Sequence, residues 1–295
     1  MKKIFKIMAS ALLLASVTSC DWFELDNQEG YNASVQGTIK DATTGNPVWG
    51  EIYGTAINQW WGSYEVQNTG YITVKEQGWD SEAAQNWNVK NNGTYVNKLV
   101  FAGTYKMDTK DSNYYPTIQE FELKKGENVV DFTVYPYLRI KDEKISYDAA
   151  SKKIVATFKV EKGQAPQGQA PVNYVADIRL CCNIDRWVGT NFNNCKKDPG
   201  SVVGSASKCT ELADGSTVIT LTIDTTAECN IEEFKYQRPH YVRIAACGGP
   251  AAEAVNPWTG QVQYGMTVNT NNRYNFSPVY KISDDFSKIE LVTEW

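Results

Sequence analysis

The sequence predicts an all-β chain built as two β-sandwich domains in tandem. Three observations lead there. Short runs of alternating apolar and polar residues follow one another with almost no helical spacing between them, which is the period of strands with one buried face. Clusters of Gly, Pro, Asn, Asp and Thr separate the runs, and short strands with such turns mark sandwiches. The pattern also breaks at Pro136 and restarts, which divides the chain into 31–136 and 137–295.

The amino end comes first. Lys2, Lys3 and Lys6 precede an almost wholly apolar or small run over 7–17. A charged start and an apolar stretch too short to span a bilayer predict a signal peptide over 1–19, not an anchor helix. In "LLLASVTSCDWFELDN" that run ends at Thr18-Ser19-Cys20. This resembles the lipobox of bacterial lipoproteins, which implies that Cys20 is acylated and that residues 20–30 form a lipidated linker. Two or more acyl chains hold a protein firmly without spanning the bilayer. Asp21, Glu24 and Asp26 resemble the acidic surface-export signal of Bacteroidetes lipoproteins. The expected location is the outer membrane, lipid-anchored and exposed at the cell surface, with the membrane reached only through the anchor.

Composition narrows the function. Removing 1–19 takes three lysines from a chain of formal charge −5. The acidic remainder argues against nucleic acid as a partner. A single histidine, His240, excludes a three-histidine zinc site. In "QRPHYVRIAACGG" it is expected at a loop or strand edge. The 9 Trp and 17 Tyr are more informative.

The strands follow in order. "ASVQGTIK" alternates, with Val35 and Ile39 inward, and "DATTGNP" turns the chain through Gly45 and Pro47. "VWGEIYGTAI" and "YITVKEQ" are further strands, with Val48 inward. "NNGTYVNKLVFAGTYKMDT" carries a turn at Ala102-Gly103, and "TIQEFELKKGENVVDFTVYPYLRI" is expected to be a hairpin around Lys125–Asn128. After Pro136, "YLRIKDEKISYDAASKKIVATFKVEKG" is a hairpin and "GQAPQGQAP" a loop. "VNYVADIRLCC", "STVITLTID", "YVRIAACGG" and "RYNFSPVYKI" complete an immunoglobulin-like sandwich. Long connections over 184–215 and 248–272 are where function tends to sit.

"VQGTIKDATTGNPVWGEI", with "NGTYV", "LVFAGTYKM" and "NVVDFTVYPY", resembles carboxypeptidase-regulatory-like domains, which have a transthyretin-like (prealbumin) sandwich. With the lipobox and the "RYNFSPVYKI" end, the chain resembles an uncharacterised family of Bacteroidetes lipoproteins associated with polysaccharide-utilisation systems. The resemblance implies no catalytic residues. It implies a glycan and an outer-membrane porin/lipoprotein complex as partners.

Two sets of side chains stand out. Trp49, Trp60, Trp61, Trp79 and Trp87 crowd one part of the first domain, with Asn58, Gln59, Tyr64 and Asn86 beside them. Flat rings stack on sugar faces while amides bond the hydroxyl edges. Trp187 and Trp258 form a second set on the long loops. Of these, Trp60, Trp61, Tyr64, Trp79 and Trp87 with Asn58, Gln59 and Asn86, and Trp187 with Trp258, are the glycan-binding candidates; Trp49 is not among them.

Cys181, Cys182, Cys195, Cys209, Cys229 and Cys247 are disulfide candidates, since an even count in an exported chain suggests bridges. Alternation in "VADIRLCC" puts Ala176, Ile178, Leu180 and Cys182 on the core face, and Asp177, Arg179 and Cys181 on the solvent face. Asp108–Asn113, "DTKDSN", lacks the spacing of a calcium loop and is expected to be a polar turn. No cofactor, metal or catalytic residue is predicted. The expected function is a non-catalytic surface lipoprotein that binds or presents glycan. The alternative is a structural spacer or adhesin-like interaction component, and a hydrolase stands third.

Overall fold

The computed structural model describes residues 30–51, 55–56, 66–67, 71–79, 83–109, 112–171, 174–190, 192–193, 213–249, 253–255, 262–264 and 274–295. Among them are twenty strands and one four-residue helix. No helix among the described residues is long and apolar enough to cross a membrane. The expected signal peptide over 1–19 and Cys20 lie outside them.

The first half carries β1 (Ala33–Asp41), β2 (Thr55–Ala56), β3 (Val66–Gln67), β4 (Tyr71–Glu76), β5 (Ala84–Asn88), β6 (Thr94–Val100), β7 (Gly103–Asp108), β8 (Ile118–Leu123), β9 (Gly126–Val129) and β10 (Phe132–Val134). One sheet runs β10-β1-β6, with β9 also on β1, and the facing sheet runs β5-β4-β7-β8. Val35, Ile39 and Val48 point inward as alternation requires, and meet Ile72, Val74, Tyr105 and Met107 of the facing sheet.

The expected hairpin at Lys125–Asn128 does not form. β8 pairs with β7, whereas β9 and β10 cross to the other sheet and run parallel to β1. The Asn128 side chain holds this corner: it accepts from the Lys124 N–H and donates to the Lys124, Gly126 and Ser34 carbonyls. A turn signal marks where a chain bends, not which sheet it enters. At Gly37 an added Cβ would lie 1.7 Å from the Val130 carbonyl oxygen. Only glycine allows the neighbouring backbone to approach that closely.

The second half carries β11 (Leu138–Asp148), β12 (Lys153–Lys162), β13 (Tyr174–Asn183), β14 (Ile219–Asp224), the helical turn α1 (Ile231–Phe234), β15 (His240–Gly249), β16 (Glu253–Val255), β17 (Val262–Tyr264), β18 (Tyr274–Phe276), β19 (Tyr280–Ile282) and β20 (Ile289–Leu291). The sheet β11-β12-β14 faces a sheet of β13, β15, β18, β19 and β20. Ile154, Ala156, Phe158 and Val160 of β12 fill the core between them, with every second residue buried. "RYNFSPVYKI" is two strands, because Pro278 interrupts the ladder and Ser277 bridges the gap by bonding both the N–H and the carbonyl of Ile244.

β13 has a bulge between Val175 and Asp177. It brings Val175 onto the face of Ile178, Leu180 and Cys182. The other face is not open to solvent as the alternation suggested. Cys181 is fully buried there with Val188, Ala245, Cys247, Tyr274 and Phe276. This sheet is covered on both sides, which accounts for the unbroken burial of Val242–Gly248. The second cover comes from Val188, Val279, Val292 and Trp295 of the same half, joined by Trp49 from the first.

Candidate functional site

The junction is built on residues 49–51, just beyond the turn after β1. The Gly50 N–H donates to the Asn91 carbonyl (2.9 Å), and the Gly50 carbonyl accepts from Arg243 Nη1 (2.7 Å). Arg243 is fully buried on β15. It also donates to the carbonyls of Val188 (3.4 Å) and Ser277 (2.9 Å), and its guanidinium lies 4.3 Å from the centre of the Phe276 ring. Burial pulls its pKa down to about 10, against the opposing pull of Glu51 and Cys181, so it stays charged at neutral pH. Glu51, also fully buried, accepts from Thr190 Oγ1 at 2.7 Å. An added Cβ at Gly189 would sit 2.4 Å from the Glu51 carboxylate, so any other residue there would push the Glu51 side chain aside.

That clamp sets three tryptophans side by side. Trp49 meets Trp295 edge-on at 5.8 Å, and Trp187 meets Trp295 at 5.5 Å. The three are half-buried, so part of each surface stays in solvent. The Trp187 backbone N–H donates to Asp185 Oδ1 (3.1 Å), and the Arg186 guanidinium lies 5.2 Å from the centre of the Trp187 ring. The Trp295 indole N–H donates to the Val292 carbonyl (3.2 Å), and its own carbonyl accepts from Lys90 Nζ (3.0 Å).

Trp49 also lines a cleft of about 410 Å³ between the two sandwiches. Asn46 and Pro47 stand on one wall, and Arg139, Lys141 and Glu143 on the other. Arg139 makes a two-pronged pair with Asp41, one arm at 2.9 Å, and also donates to Thr43 Oγ1 at 2.7 Å. Burial alone would raise the Asp41 pKa. The Arg139 hydrogen bond, the N–H groups of Thr43 and Thr44 and the Arg139 charge outweigh burial and hold it below the usual carboxylate range. At the edge of the cleft Asn275 and Asn113 join the domains: Asn275 donates to the Asn113 carbonyl (3.0 Å), and Asn113 to the Tyr274 carbonyl (2.7 Å).

The sequence candidates divide. Trp87 is a correction: it is 3% exposed and packs against Tyr95, Tyr105 and Phe121, so its face cannot stack on a sugar. Its partner Asn86 is exposed on β5, and Trp79 is 52% exposed in the turn after β4. Trp187 is in the junction cluster. Asn58, Gln59, Trp60, Trp61, Tyr64 and Trp258 lie outside the described residues. Trp49, Trp295 and Asn46 are not among the sequence candidates. A lone tryptophan after "LVTE" and an asparagine in a turn carry no local signal of a shared site.

Cys182 lies in the core and Cys181 on the opposite face of the sheet. Cys181 pairs in register with Arg243, four residues from Cys247 along β15. At about 3.4 Å per residue they are too far apart to bridge to one another. Cys229 is exposed, and Cys195 and Cys209 lie outside the described residues. His240 starts β15, where it is buried, with Nε2 3.3 Å from the Glu233 carbonyl, and burial lowers its pKa. In the Asp108–Asn113 turn the side chains of Thr109 and Asn113 bond backbone carbonyls. Among the described residues no cluster of acidic, histidine or cysteine side chains could hold a metal.

The family model described as "Protein of unknown function (DUF3823) N-terminal domain" matches residues 35–135. A structure described as a "putative carbohydrate binding protein" from Bacteroides uniformis is 30% identical, with 86% of this chain and 100% of that chain covered and a TM-score of 0.63. The chain belongs to the DUF3823 family. Two DUF3823 structures share its fold at lower identity. One, from Parabacteroides merdae, is 17% identical over 86% of this chain and 99% of its own, with a TM-score of 0.56. The other, from Bacteroides ovatus, is 12% identical over 85% and 98%, also at 0.56. No curated protein matches the chain. These matches indicate no catalytic family, and the DUF3823 segment coincides with the first sandwich.

Proposed function

We propose that this DUF3823 protein is a non-catalytic carbohydrate-binding lipoprotein, anchored in the outer membrane through Cys20, exposed at the cell surface and serving a polysaccharide-uptake complex. One observation carries the binding reading: Trp49 belongs at once to the interdomain cleft and to the half-buried tryptophan cluster. A cleft of this size falls in the usual range for small-ligand sites. An aromatic wall facing amide, carboxylate and cationic groups suits a sugar, which has CH-rich faces and hydroxyl edges. The carbohydrate-binding description of the Bacteroides uniformis relative supports the same reading.

The test is Trp49→Ala and Trp187→Ala in glycan affinity electrophoresis. Base–aromatic stacking, a rough analogue, is worth about 1–3 kcal/mol, so each variant should bind roughly tenfold to hundredfold more weakly while melting near the wild type. Unchanged affinity in both variants would remove the junction from the function. The anchor has its own check: Cys20→Ala should take up no labelled fatty acid, and equal labelling would refute lipidation there.

A second reading, a spacer docking on a partner protein, is favoured by the clamp at Arg243 and Glu51, which fixes one sandwich against the other. It takes over if no glycan in a broad panel binds the wild type.

A further inference from the structure

We infer that the interdomain cleft takes neutral, hydroxyl-rich glycan segments and rejects those bearing uronate or sulfate. The inference rests on the carbohydrate-binding reading above and adds the charge class of the ligand. The charged side chains lining the cleft are three carboxylates, Asp41, Glu143 and Glu161, and two cations, Arg139 and Lys141. Both cations are already engaged. Arg139 is held by Asp41 and Thr43, and Lys141 Nζ lies 3.1 Å from Glu161.

Glu143 is the carboxylate left over. Among the described residues no cation pairs with it, and its one partner is the Tyr280 hydroxyl, which donates to Oε1 at 3.1 Å. Burial, then the nearby Glu143 charge, raises the Tyr280 pKa, so the phenol keeps its proton and remains a donor. Among the described residues no group donates to the other Glu143 oxygen, which is left as an acceptor. A sugar hydroxyl can donate to it. A ligand carboxylate or sulfate brings only acceptors and a second negative charge.

The cations beside the tryptophans do not reverse this. Lys90 is held by the Trp295 carbonyl, while Arg186 lies against the Trp187 ring and reaches the Glu294 carbonyl at 3.4 Å. An anionic glycan would have to displace an existing partner to gain a cation.

The experiment uses the purified protein with neutral gluco-, manno- and xylo-oligosaccharides and with oligogalacturonate and chondroitin sulfate, titrated at low and at high salt. At least one neutral series should bind, little affected by salt. The acidic probes should be weaker by about tenfold or more at low salt, the size of a single like-charge contact at the protein surface. Glu143→Gln keeps an acceptor for Tyr280, so it should melt like the wild type and narrow the gap several-fold by raising affinity for the acidic probes. Acidic probes binding as tightly as neutral ones, or a gap unmoved in Glu143→Gln, would overturn the inference and leave carbohydrate binding standing. Failure of every probe to bind would sink the carbohydrate reading and this inference with it.

Discussion

The core around Trp87 and the junction around Arg243 are both buried, yet they are held in opposite ways. Trp87 sits among Tyr95, Tyr105 and Phe121, and its one polar atom donates to Gln85 (3.2 Å). Its stabilisation comes from apolar area and ring packing, which are tolerant of direction. Arg243 instead holds three carbonyls from three segments, one of them in the other sandwich. Charge-assisted hydrogen bonds specify distance and angle. The core makes a sandwich, whereas the junction sets how two sandwiches face each other and hence the shape of the cleft.

Removing Arg243 should be the most damaging change. Arg243→Ala leaves buried carbonyls at Gly50, Val188 and Ser277 without this donor and takes the positive charge from beside Glu51. Breaking a buried charge network costs about 3–5 kcal/mol, and each stranded carbonyl adds up to about 1–3 kcal/mol. Denaturant titration should show the loss, and any protein that still folds should lose glycan binding with it. A loss under about 1 kcal/mol would mean that the junction does not hold the domains.

Trp87→Ala sharpens the comparison from the other side. It should cost about 3–5 kcal/mol by opening the first core. Below its unfolding transition it should bind glycan as the wild type does, since the ring lies away from the cleft lining. Equal binding losses in the two variants would erase the distinction between core and junction.

The smallest effect belongs to Arg139→Ala at the cleft wall. Losing hydrogen bonds to a buried carboxylate should cost about 1.5–3 kcal/mol at pH 7. Asp41 has a folded pKa below its unfolded value. The stabilisation is therefore fully present above about pH 4 and fades as the pH falls through the folded pKa. The stability gap between wild type and variant should close in acid, and a gap constant from pH 7 to pH 2 would contradict the pairing.

The strands were legible wherever one face is buried and the ladder is regular. β12 shows it best, with Ile154, Ala156, Phe158 and Val160 inward in strict alternation. Reading failed where a second layer or a bulge intervened. Cys181 looked solvent-facing because alternation knows two faces and not what covers each. Trp87 looked like a binding residue because a tryptophan between two asparagines has the composition of a glycan site. Its place on β5 nevertheless turns it into the core and leaves Asn86 outside.

By itself the sequence determined the all-β class and the inward set of most strands, because each follows from neighbours a few residues apart. Only the tertiary structure decided that Trp49, Trp187 and Trp295 meet, that Gly50 and Arg243 are bonded, and that Asp41 and Arg139 share a wall. Those partners lie far apart along the chain, and all but the Trp187–Trp295 contact join different domains. No local period encodes such a pairing. It exists only once both sandwiches have folded and the buried polar groups between them have found one another.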